Sequence, residues 1–96
     1  MKVGKIFKEC EKKGAVWVAD YEALVCRAKE RGLEEITDEL VIEEIKYQFE
    51  HAPNGMYFAP VFEFDEEDKK EYAEEYQAAK KEYMVLKRLY KKYCTK

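Results

Sequence analysis

One helical period runs from Asp65 toward the C-terminus and takes up nearly a third of the chain. Its "DEED" start and "KKYCTK" end place acids at the positive and cations at the negative pole of a helix dipole, so the sequence predicts a last helix of about 28 residues. Within it, positions 72, 76, 79, 83, 86, 90 and 93 form a heptad seam that reads Tyr, Tyr, Ala, Tyr, Leu, Tyr, Tyr. At about 100° per residue, Ala78, Val85, Leu86 and Leu89 form an aliphatic flank, and Tyr72, Tyr76, Tyr83 and Tyr90 form a strip beside it. The expected division is an aliphatic side against the body and a tyrosine strip at the boundary, where rings pack and hydroxyls meet water or carboxylate.

The remaining elements follow from punctuation. Val3, Ile6, Phe7 and Cys10 recur at helical spacing until "EKKG", which predicts a first helix over residues 2–13 stopped by Gly14. Asp20 caps a second helix that ends at Gly32. Thr37 caps a third, with Ile36 and Val41 forming a hydrophobic staple and Val41, Ile45, Phe49 and Ala52 its apolar stripe up to Pro53. Two aromatic, β-branched pieces lie between these elements, residues 15–19 and 56–64. Pro60 restricts the latter to an edge strand or connector, and the two are expected to pair. The fold class is therefore mainly α: a compact four-helix single domain, residues 1–96, with a long C-terminal helix and a small two-stranded β element. A chain of this size buries enough surface for a modest core without staples.

Net charge is −3, unevenly spread: residues 1–29 carry +3, residues 30–75 carry −12 and residues 76–96 carry +6. Cys10, Cys26 and Cys94 are an odd, widely spaced set, which points to free thiols and a reducing, cytoplasmic location. No stretch has the length and apolarity of a signal peptide or membrane span.

The chemical motifs are mostly excluded. There is no serine, the four glycines are isolated, and His51 is the only histidine. Serine hydrolysis and phosphate-loop nucleotide binding are thereby removed, and no catalytic residue or cofactor is expected. Cys10, Cys26, His51 and Cys94 together have the composition of a Cys3His zinc site, but each stands alone in sequence, whereas small zinc domains take ligands in close pairs. The third helix is too acidic to enter a DNA groove. The C-terminal helix, with Lys80, Lys81, Lys87, Arg88, Lys91 and Lys92 interleaved with Tyr83, Tyr90 and Tyr93, is better suited to phosphates and bases.

The leading expectation is a non-enzymatic protein-binding module that occludes a larger, basic, nucleic-acid-handling protein. Its binding residues would be Glu39, Glu43, Glu44, Tyr57, Phe58, Tyr72, Tyr76, Tyr83 and Tyr90, since acids steer a basic partner and tyrosines give contact area at small entropic cost. A small DNA- or RNA-associated regulator and a zinc-containing module are the alternatives, and a homodimer through the tyrosine strip is a further outcome. In size, central acidity and lack of catalytic motifs the chain resembles the small inhibitors encoded by phages and mobile elements, anti-CRISPR proteins among them. That resemblance is one of style and transfers no residue.

Overall fold

Two glycine stops set the first half of the architecture. In the computed structural model, which describes residues 1–15, 17–55 and 57–94, helix α1 spans Lys5–Lys12 and helix α2 spans Tyr21–Glu30. Each ends in a glycine with positive φ, Gly14 at 77° and Gly32 at 71°. Both ends carry the same paired bonds: Gly14 N–H to Glu11 O with Ala15 N–H to Cys10 O, and Gly32 N–H to Lys29 O with Leu33 N–H to Ala28 O. These are Schellman closures, which satisfy carbonyls the helix leaves unpaired and need a residue at ease in the left-handed region. A Cβ on Gly32 would meet nothing within 4 Å, so only backbone strain opposes it. Gly32→Ala is expected to lower stability by about 1 kcal/mol, read from the urea midpoint.

The N-terminal segment is held by a short parallel ladder. Strand β1, Lys2–Val3, pairs with β2, Glu35–Ile36, with Lys2 opposite Glu35 and Val3 opposite Ile36. Helix α3, Asp38–His51, follows at once. Thr37 caps it by accepting from Leu40 N–H at 3.3 Å, and Ile36 and Val41 are both fully buried, in keeping with the expected staple. Asp38 reaches back to accept the Ile6 N–H at 3.1 Å, serving α1, whose own N-cap residue, Gly4, has no side chain. A Cβ on Gly4 would lie 2.3 Å from Asp38 Oδ1, so the close approach depends on glycine.

The molecule is mainly helical with a two-stranded sheet and a long last helix, but the strands are not those expected. Of the expected pair at 15–19 and 56–64, Val16 and Met56 lie outside the described residues. The rest of 15–19 is a turn in which Val18 and Ala19 N–H both donate to Ala15 O, with Ala15 and Val18 fully buried. Residues Ala59–Glu63 form a short helix, α4, with Pro60 in its first turn. Proline lacks an N–H that a first turn would leave unpaired anyway, so the residue read as an edge-strand mark acts as a helix starter. Residues 2 and 3, expected in the first helix, form β1 instead.

The last helix is divided. Asp65 caps α5, Glu66–Glu71, by accepting from Asp68 N–H at 2.8 Å. Tyr72, at φ −113° and ψ 45°, interrupts the helix before α6, Ala73–Tyr93. No residue of α5 is buried, so it has no place in the core to hold it in line with α6. Tyr72 instead rests on Phe64, ring centroids 5.9 Å apart.

One core cluster joins the pieces. Ile6, Phe7 and Cys10 of α1, Leu24 and Ala28 of α2, Leu40, Val41 and Ile45 of α3, and Leu86 and Leu89 of α6 are buried together with Ala15, Val18 and Phe58. The molecule measures 49 × 27 × 22 Å. Among the described residues no helix is long and apolar enough to cross a membrane.

Candidate partner-binding face

The tyrosine seam splits along its length. Ala79, Leu86 and Leu89 are buried, whereas Ala78, expected to face inward, is exposed. Tyr83 lies in an aromatic cluster, stacked on Phe49 at 5.9 Å and edge-on to Phe58 at 5.6 Å and Phe62 at 5.1 Å. Tyr90 stacks on Phe49 at 4.2 Å. Offset and edge-on pairs at these distances are cohesive packing, so Tyr83 and Tyr90 help close the core and are only partly exposed. The N-terminal end of the seam differs. Tyr72 is 45% exposed, and the Tyr76 ring carries the ammonium groups of Lys69 and Lys80, 5.3 and 5.8 Å from its centre. Of the strip, Tyr72 is thus the most open ring, and Tyr76 is half-buried under two lysines.

The acidic residues divide in the same way. Glu39 is exposed, and Glu43 is half exposed and pairs with Arg31 at 2.7 Å. That hydrogen bond, and then its charge, holds the Glu43 carboxyl below the usual range. Glu44 is buried, bonded by Arg27 and by Gln48 Nε2 at 2.8 Å. Expected to be open to a partner, it belongs to the wall of the core. Phe58 is likewise buried, against Trp17 at 6.0 Å.

The most exposed large apolar side chains among the described residues are Tyr47 and Tyr57, each 56% exposed. They line one cavity of about 170 Å³, with His51 and Gln48 on the α3 side and Phe58 among the connector residues. Tyr47 is stacked on His51 at 4.2 Å, one helical turn away, and the His51 Nδ1 lies 2.9 Å from Tyr47 O. Tyr57 sits edge-on to Phe58 at 4.9 Å. Its hydroxyl is pushed up from the usual phenol value, first by burial and then by the Glu82 carboxylate beside it. Sequence reasoning found Tyr57 but missed Tyr47; the available signal was the i, i+4 aromatic pair Tyr47 and His51 next to the aromatic connector.

The basic half of α6 is partly neutralised from a distance. Glu9 of α1 accepts from the Tyr93 hydroxyl at 2.7 Å, from Lys92 Nζ at 2.9 Å and from Lys13 Nζ at 3.2 Å. These bonds, that of Tyr93 foremost, lower its carboxyl to about 2. Tyr83, Tyr90 and Tyr93, counted above as base-stacking rings, are thus all engaged within the protein.

The four residues of the zinc reading do not come together. Cys10 is fully buried, with its thiol raised to about 11 by burial and then by Glu9. Cys26 and His51 are exposed, and Cys94 Sγ lies 3.7 Å from Ile42 O. No group of three or more His, Cys, Asp or Glu among the described residues is placed to hold a metal ion. Ligands on separate helices, with no close pair to start a site, are directed by packing to different places. All three cysteines are free.

In comparisons with known proteins, no family model matches the chain, and no curated protein or solved structure matches it.

Proposed function

We propose that the chain works as one folded, non-enzymatic protein-binding module in the cytoplasm. It would occlude or position a larger basic protein, one that handles nucleic acid, in the manner of the phage and mobile-element inhibitors it resembles in style. The observation that carries this reading is the cavity between Tyr47 and Tyr57. Two half-exposed rings flank a recess with a carboxylate, Glu82, beside one of them. Exposed aromatic clusters of this kind cost solvation in the free protein and recur as the anchors of interfaces. Their π faces and the neighbouring acid suit a partner's arginine or lysine. Glu39 and the acid-rich α5 supply longer-range attraction, an on-rate effect that salt weakens.

The test is a titration against the basic protein that the chain captures in its host. Tyr57→Ala is expected to weaken binding about ten-fold or more, and Tyr47→Ala to weaken it less because its ring is stacked on His51. Glu39→Lys should slow association with little change in dissociation. Unchanged affinity in the Tyr47→Ala, Tyr57→Ala double variant would remove this surface from the reading. Salt-sensitive retention on immobilised DNA, lost when Lys81, Lys87 and Arg88 become alanine, would favour the nucleic-acid regulator instead.

A further inference from the structure

A second recess lies on another part of α6, where the chain leaves α1 and turns through Trp17. Its cavity of about 300 Å³ is lined by Lys13, Trp17, Ala78, Lys81, Glu82 and Val85, among others. A neighbouring cavity of about 190 Å³ shares Lys13 and Val85 and adds Arg88. Together they form a recess with apolar surface from Trp17, Ala78 and Val85 and with three cations at its margins. Lys13 is bonded to Glu9, but Lys81 and Arg88 form no ion pair with any described residue. The lining has one acid, Glu82, which stands next to the Tyr57 hydroxyl.

The ring that forms part of this wall also holds an unmet demand. Trp17 Nε1 is the one buried side-chain nitrogen or oxygen among the described residues without a hydrogen-bond partner. A buried donor is costly to leave unpaired, and such an exception calls for an acceptor from elsewhere. We propose that this recess binds a carboxylate carried on a short apolar body. Lys81 and Arg88 neutralise the carboxylate, the body lies against Ala78, Val85 and the indole face, and a small turn of the indole gives Nε1–H its acceptor. A planar monoanion suits the guanidinium fork of Arg88. A phosphate would leave two charges against apolar walls, and the N–H groups of Lys13, Gly14 and Ala15 beside the recess are already bonded to carbonyls of α1.

Trp17 is the only tryptophan, so a proton–nitrogen correlation spectrum of the full chain contains one indole N–H signal, which reports this site directly. Titration with N-acetyl-leucine is expected to move that signal downfield and to saturate in the millimolar range, while N-acetyl-leucinamide, with the same body and no charge, leaves it in place. Lys81→Ala and Arg88→Ala should each weaken the acid about five-fold and shift backbone signals only near the substituted turn of α6, since both side chains are exposed. Hexanoate separates the sources of the carboxylate: equal binding marks a free aliphatic acid, and absent binding marks a peptide chain end. The proposal is overturned if neither acid moves the indole signal, if the amide moves it as far as the acid does, or if the two variants bind as the parent does.

Discussion

Leu86→Ala is expected to destabilise the protein by about 3 kcal/mol, whereas Tyr72→Ala, on the same seam two heptads earlier, should change stability by less than about 0.5 kcal/mol. Leu86 is fully buried in the core cluster, and removing the three carbons beyond its Cβ leaves a hole bounded by packed side chains from several helices. Tyr72 is 45% exposed, and its ring neighbour among the described residues is Phe64, itself outside the core cluster. Urea unfolding followed by circular dichroism measures both. Equal costs at the two positions would mean that the seam acts as one continuous packing surface and that its N-terminal end is not free for a partner. The larger cost at Leu86 should appear as a lower midpoint with an unchanged slope, since the surface exposed on unfolding is nearly the same.

The seam also marks what could be read from the amino acids. Signals that act within four residues were legible: Asp20, Thr37 and Asp65 cap the helices they precede, and Gly14 and Gly32 end the helices they follow. The heptad itself was visible, and its C-terminal part is the face that packs. What decides between Ala78 and Ala79 is the placement of the body around α6, which no local period contains. Strand β1 has two residues, too few for any alternation to show, and the residues it pairs with, Glu35 and Ile36, lie far away in the chain. Glu44 departs from expectation for a different reason. It stands four and three residues after the buried Leu40 and Val41, so the stripe of α3 turns it inward, and its position outweighs its residue type. Pro60 is compatible with an edge strand and with a first helical turn, and the surrounding aromatics do not discriminate. For the candidate face, composition picked out Tyr57, but only the fold sets Tyr47 across the same cavity.

The Glu9 cluster is not legible in the sequence, because two of its three partners, Lys92 and Tyr93, lie more than 80 residues away, and it leads to the second large effect. Glu9 has its carboxyl lowered from 4.5 to about 2 in the folded protein by Tyr93, Lys92 and Lys13. In the unfolded chain these partners are dispersed and the carboxyl titrates near its ordinary value. The unfolded state therefore binds the proton first as pH falls, and stability drops. The contribution is fully present above pH 4.5, declines as the pH is lowered from there, and is gone below about 2. Its size is about 1–2 kcal/mol once solvent screening at this surface cluster is allowed for. Glu9→Gln keeps the shape but removes the charge, so at pH 7 it should unfold at lower urea than the parent, and the two curves should converge as pH approaches 2. Raising the salt concentration at pH 7 should narrow the same gap, since the two lysine pairs are screened while the neutral Tyr93 hydroxyl bond persists. A gap that stays constant from pH 7 to pH 2 would assign the loss to packing at the α1 and α6 contact and not to the ionised carboxylate.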